Sequence, residues 1–222
     1  MKTDNIRIDN RDKIIDISTK LFYEYGYNKT SFQTIANYCG ITKGLITYHF
    51  GSKANLAKEI VQKYNIEFKN SIDTKIYCTF KDYNLSYSVV AQIFILHQMY
   101  KDDEKALRFY LEYLDSGFKN QFADGIVYFY KIFDRHYHLD INEDSDEITM
   151  LSTAAAFSAL SLFYSFFTGK LKCSFEEYSE YAVRIQFKLM NIEDNKVDHI
   201  IIEGKKIMNQ LDYKICPYFK VF

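Results

Sequence analysis

TSFQTIANYCGITKGLITYHFGSK, residues Thr30–Lys53, is the stretch whose reading decides the fold. Thr30 and Gln33 stand at the T-x-x-Q spacing of a capping box, in which a hydroxyl and a side-chain amide each satisfy a free backbone N–H at a helix start, so a helix is expected to begin at Thr30. Ile35 and Ala36 give that helix its inward face. Gly40 supplies the positive φ that a sharp reversal over Tyr38–Ile41 needs without a Cβ clash. Thr42 then stands as the cap of a second, shorter helix. Along it Ile46 and Phe50, four residues apart, point inward, while Lys43, Gly44, Thr47, Tyr48 and His49 are left on the outer side. Helix, tight turn, short helix, turn and a third helix follow one another with no room for a strand.

In a helix-turn-helix the second helix enters the major groove, with small and basic residues at its N-terminus approaching phosphates and base edges. The run ITKGLITYHFGSK, preceded by IANYCG, resembles the N-terminal signature of the TetR family of transcriptional regulators. Its glycines, its Y-H-F and the following lysine occur together at fixed spacing over about a fifth of the chain. Two positions depart from the usual pattern: Leu45 stands where a small polar residue is common, and Thr47 where an aromatic often stands. Those departures leave the operator sequence open. The resemblance implies double-stranded DNA as a partner, contacted by Thr30, Thr42, Lys43, Gly44, Thr47, Tyr48, His49 and Lys53. It also implies a homodimer on a palindromic operator, repression of transcription, and a small effector. The alternative for this stretch is a helical hairpin with no DNA role, since that geometry also occurs in enzymes and scaffolds.

The remaining composition fits that frame. A chain of 222 residues has room for a small N-terminal module and one larger domain, and a single Pro with 8 Gly suits long helices with few breaks. Twenty Tyr and 19 Phe make an aromatic interior, which serves cores, interfaces and ligand pockets alike. The formal net charge of −1 argues against a surface that binds nucleic acid everywhere. Its distribution is uneven: residues 1–64 carry 10 Lys and Arg against 6 Asp and Glu, and the remainder 18 against 23. Four cysteines at 39, 78, 173 and 216 show no C-x-x-C pairing, and the charged start Met1-Lys2-Thr3-Asp4 is not a signal peptide, so a reduced, cytoplasmic protein is expected. The apolar run Ala154–Phe167 is interrupted by serines and fits a buried helix better than a membrane span. His136 and His138, near Asp134 and Asp140, could ligate a metal with a third residue, but a polar helix end accounts for them; no metal and no cofactor is expected.

Taken in order, the chain predicts an all-α protein: a three-helix helix-turn-helix DNA-binding domain over residues 9–66, its last helix linking to a larger helical ligand-binding and dimerisation domain over 67–222. A first helix capped by Asp9 or Asn10 ends at Gly26, and Arg7 and Arg11, before or at its start, read equally as a basic arm that touches phosphates or as an uninvolved tail. Ser52 caps a linking helix with Leu56, Ile60, Tyr64 and Phe68 at a four-residue step, and periodicity is lost over Lys69–Asn84. Leu85–Tyr100 is apolar nearly all round, the pattern of a buried helix, which makes its polar Gln92, His97 and Gln98 informative. Helices over Asp102–Ser116 and Phe122–Tyr137 follow, and the three would enclose an apolar or aromatic effector among Phe94, His97, Gln98, Tyr110, Tyr113 and Tyr130; plain core is the competing reading of the same aromatics. Ser145–Thr168, with two adjoining apolar faces, and a helix begun by Ser174 are suited to a twofold four-helix interface of the kind the family resemblance implies. Asp194–Leu211 adds an amphipathic helix, and the aromatic tail Tyr213–Phe222 is expected to dock. No acid, base or nucleophile constellation is legible, so an enzyme is not expected. A constitutive DNA-binding protein whose C-terminal domain serves only protein contacts is the other reading, and a solid core there would favour it.

Overall fold

The structure, a computed structural model, describes residues 2–80, 84–117, 123–137, 139 and 146–222. Its helices are α1 (Lys2–Tyr25), α2 (Phe32–Cys39), α3 (Lys43–Phe50), α4 (Lys53–Thr79), α5 (Leu85–Asp102), α6 (Glu104–Asp115), α7 (Ala123–Tyr137), α8 (Glu147–Phe167), α9 (Phe175–Leu189) and α10 (Asp194–Gln210). The strands β1 (Ile215–Cys216) and β2 (Lys220–Val221) form a small antiparallel hairpin in which Cys216 faces Lys220. The fold is all-α, as the periodicity predicts. Phe122, Ser145, His138 and Asp140 lie outside the described residues, as do the side chains of Arg7, Asp9, Ile126 and Phe129.

The chain forms two compact units, which are not the linear segments 9–66 and 67–222. The first joins Met1–Thr79, Gln98–Phe118 and Asp212–Phe222; the second joins Phe80–His97 and Lys119–Leu211. Helix α5 contributes residues to each.

In the first unit α4 runs on through the stretch where periodicity was expected to fail. Its buried side chains are Leu56, Ile60, Tyr64, Phe68, Ile72 and Ile76, an unbroken four-residue step accompanied by Ala57 and Val61. The polar residues of Lys69–Thr79 occupy the remaining positions of the same turns, so they do not interrupt the helix. Ser52 caps α4 by accepting from the Asn55 N–H at 3.1 Å. An aromatic cluster fills the interior: Tyr64 and Tyr100 share a hydroxyl hydrogen bond of 2.6 Å, Tyr110 stacks on Tyr100, and Phe22 stacks on Phe109. The tail docks here. Phe219 is buried against Tyr64, Tyr23 and Phe109, and Val221 offers its carbonyl to Ser71 Oγ at 2.8 Å.

The second unit has an apolar core built from Val90, Phe94, Tyr130, Phe133, Ile148, Ala155, Val183 and Phe187, continued by α10 through Val197, Ile200 and Ile201. Helix α8 lies against α7 and α9, and α10 against α9. Gly204 of α10 sits where a Cβ would lie 2.5 Å from Val90 Cγ1, so this helix approaches α5 as closely as backbone allows. Ser174 and Glu177 close a complete capping box at the start of α9. Helix α8 differs from the expected buried helix: Ile148, Ser152, Ala155, Ala156 and Phe163 are buried, while Met150 and Phe157 are exposed. It is long and apolar enough to cross a bilayer on length and composition alone.

Candidate nucleic-acid interface

The cap of α2 is Ser31, not Thr30. Ser31 has extended backbone angles and its Oγ accepts from the Thr34 N–H at 3.0 Å. Gln33 instead donates to the Asn37 side chain. Thr30 is buried at 1% exposure, with its hydroxyl donating to the Gly26 carbonyl at 2.8 Å, so it braces the turn after α1 from inside and has no surface to offer DNA. Gly40 closes α2 in the left-handed region at φ 67°, and the Ile41 N–H returns to the Ala36 carbonyl.

Helix α3 follows α2 after three residues. Thr42 is its N-cap, accepting from the Leu45 N–H at 3.3 Å, and Ile46 and Phe50 are its buried residues. Thr42, Lys43, Gly44, Thr47 and Tyr48 are exposed, Tyr48 to 68%. The first turn contains no acidic residue, so nothing there opposes the partial positive charge of the helix N-terminus. His49 is half-buried with its ring edge-on to Tyr48, and its Nε2 has no hydrogen-bond partner among the described residues. The cap, small Gly44, exposed Lys43 and protruding Tyr48 thus share one short, fixed helix.

Lys53, expected to contact phosphate, and Arg11, weighed for the same role, are both engaged by other groups of the protein. Lys53 donates to the Tyr27 carbonyl at 2.9 Å and lies 4.1 Å over the Tyr27 ring, where burial lowers its pKa and the Glu112 carboxylate opposes the shift. It clips the start of α4 to the turn after α1. Arg11 is paired with Glu59 and lies over the Phe50 ring.

The sequence also hid a brace that holds the other side of this module. Helix α6 meets the C-terminal end of α1 through polar groups: Tyr23 donates its hydroxyl to Asp103 at 2.9 Å, and Arg108 donates to the Tyr23 and Glu24 carbonyls at 3.0 and 2.8 Å. Glu112 accepts from the Asn28 N–H at 2.7 Å, and Lys105 pairs with Glu24. These bonds satisfy backbone groups at the helix end that have no partner within α1. Burial, together with the hydrogen bond to Asp103, raises the Tyr23 hydroxyl far above the usual tyrosine range. The signal in the sequence is the spacing of Arg108 and Glu112, four apart and so on one side of α6.

Residues 14–60, which hold α2 and α3 entire, match the model of the bacterial regulatory proteins of the tetR family. The likeness to that family rests on this segment, about a fifth of the chain. An HTH-type transcriptional regulator of Staphylococcus aureus (strain USA300) is 28% identical over 182 residues, which is 80% of this chain and 92% of that protein. A counterpart in Staphylococcus aureus (strain bovine RF122 / ET3-1) is 27% identical over 183 residues, again 80% and 92%. Among solved structures, a TetR-family regulator from Streptomyces coelicolor A3 aligns over 82% of this chain and 95% of its own at 16% identity, with a TM-score of 0.48.

The six residues expected to line one effector pocket fall into the two units, three in each. Tyr110 and Tyr113 belong to the aromatic cluster of the first unit, where Tyr113 stands edge-on to Tyr27, and Gln98 donates to Asp102 along its own helix. Phe94 and Tyr130 are core residues of the second. His97 is there too, with Nδ1 3.3 Å from Ser179 Oγ and Nε2 3.3 Å from the Tyr178 hydroxyl. Both ring nitrogens therefore have protein partners, and burial pushes the imidazole pKa down to about 4. His97 is a satisfied, neutral core histidine.

Proposed function

We propose that this TetR-family regulator is a sequence-specific repressor that acts in the cytoplasm as a homodimer on a palindromic operator and is released by a small effector. The observation that carries the reading is the face of α3. Thr42, Lys43, Gly44, Thr47 and Tyr48 stand exposed, with His49 at their edge, on a helix whose other face is fixed by Ile46 and Phe50. Lys43 and the free N–H groups of the first turn suit phosphate, while Thr47 and Tyr48 suit base edges and the thymine methyl. Because two half-sites are bound about one helical turn apart, the useful affinity comes from a pair of such helices. The surface that supports pairing is on α8 and α9, where Met150, Phe157 and Tyr181 are exposed apolar or aromatic side chains. Support for an effector comes from polar side chains buried in the second unit, including the Gln92 to Ser88 hydrogen bond and the Gln186 amide near the Ala155 carbonyl. An apolar or aromatic molecule lying against Phe94 and Tyr130 would find hydrogen-bonding groups there.

The satisfied state of His97 favours a second reading, a constitutive DNA-binding protein whose second unit serves only protein contacts. Effector-induced loss of operator binding separates the two.

The test of the DNA reading is affinity for operator DNA as a function of salt. Lys43→Ala should reduce the salt slope by about one, and Tyr48→Ala should lower operator affinity by about 1–3 kcal/mol. Unchanged slope and unchanged affinity in the two variants would remove α3 from the interface.

A further inference from the structure

The first unit contains a cavity of about 290 Å³ between α1, α4 and the C-terminal hairpin, close to the lower size of small-molecule sites. All its lining residues belong to the first unit, so it is separate from Phe94 and Tyr130 of the second, where the effector is proposed. Three elements each contribute a lysine to its lining: Lys20 from α1, Lys63 from α4 and Lys220 from β2. Lys63 is paired with Asp16 at 3.0 Å. Among the described residues Lys20 and Lys220 have no hydrogen-bond or ion-pair partner, and the one further carboxylate in the lining is Glu67. Positive charge is therefore in surplus around a concave wall whose apolar part includes Ile60 and Tyr218.

The position of Lys220 is not left to a loose tail. Lys220 pairs with Cys216 in the hairpin, and Tyr218 and Phe219 before it both hold left-handed backbone angles, φ 64° and 62°. Conformations of that kind cost on the order of 1 kcal/mol each in residues with side chains and persist only where surrounding contacts fix them. Here the contacts are the Tyr218 ring against Tyr23 at 4.8 Å and Phe219 in the aromatic cluster. The tail is held so that one of its lysines shares the lining of this cavity with a lysine of α1.

We propose that this cavity is a binding site for a small anion, a carboxylate or a phosphate, held by Lys20, Lys63 and Lys220 and bordered by Tyr218. Because binding is measured on the protein without DNA, the proposal stands apart from the reading of α3. The experiment is titration calorimetry on the full chain at fixed ionic strength with three probes: benzoate, inorganic phosphate and benzamide. Saturable binding of benzoate assigns the site to organic carboxylates, and of phosphate to phosphates. Benzamide, the uncharged match to benzoate, should not bind. Lys220→Gln and Lys20→Gln should each weaken the anion that binds at least about tenfold, while Lys29→Gln, outside the lining, should not. All three side chains are exposed, and circular dichroism checks that the variants are folded. Absence of saturable binding by both anions, equal binding of benzamide, or wild-type affinity in both cavity variants would overturn the proposal.

Discussion

The two compact units hold themselves together differently and expose different chemistry. In the first, side chains reach across to the backbone of another element: Thr30 to Gly26, Lys53 to Tyr27, Arg108 to Tyr23 and Glu24, and Ser71 to Val221. In the second, helices meet by close apolar packing, with Gly204 set close against Val90 and His97 as a buried polar group. Outside, α3 offers Lys43, Thr47 and Tyr48, whereas α8 offers Met150 and Phe157. A short helix can be aimed with little core beneath it when hydrogen bonds at helix ends fix its neighbours. A long apolar helix left partly uncovered calls for another apolar surface.

Three experiments would break or sharpen that contrast. The largest effect is expected at the apolar surface of α8, where Phe157 is 43% exposed. If the proposed homodimer pairs through this surface, Phe157→Glu should convert it to a monomer in sedimentation runs, a loss of about 3–5 kcal/mol in association from a carboxylate buried unpaired against the partner. A variant that stays dimeric would mean that this surface meets something else.

Next comes the interior of the second unit. The His97 pKa lies near 4 in the folded chain and near 6.5 when exposed, so between these values the unfolded form binds the extra proton. Stability from this group is complete above about pH 6.5 and is lost as pH falls toward 4, by about 3 kcal/mol in all. Urea unfolding at a series of pH values should show this loss in the wild type and a shallower one in His97→Gln. Equal slopes would show that the imidazole is reached by water.

The smallest effect belongs to the first unit. Ser31→Ala should cost about 1 kcal/mol in urea unfolding by removing the α2 cap. Gln33→Ala should cost less. If the order is reversed, the capping role returns to the Thr30 and Gln33 pair.

That pair shows what the sequence could and could not tell. Thr30 and Gln33 satisfy the capping spacing, but Ser31 and Thr34 have the same separation, and only the path of the chain after Gly26 decides which hydroxyl turns inward. The turn at Gly40 and the inward positions Ile46 and Phe50 were legible because each rests on a local requirement, a left-handed angle or a helical period. Ile72 and Ile76 were in plain view at the step already found for Leu56 to Phe68, and were passed over because their polar neighbours dominated the composition of that stretch. The aromatic residues were the least legible. Tyr110 and Tyr130 have the same helical spacing and the same chemistry, and their separation into different interiors depends on how the chain folds back between them. Lys53 and Arg11 illustrate a further limit, since a cation near a DNA-binding motif reads as a phosphate contact until its partner elsewhere in the chain is known.

The buried row of α4 has a geometrical consequence. Each step of four residues overshoots a full turn by about 40°, so from Leu56 to Ile76 the row winds through about 200° around a rod about 30 Å long. Its two ends are therefore seated on nearly opposite sides of the helix. Turning α4 about its own axis would lift both ends from their seats together, as turning a screw disengages every thread at once. The motions left to it are tilt and bend, and the hydroxyl of Ser71, bonded to the carbonyl of Val221 near the far end, marks where a bend would first be felt.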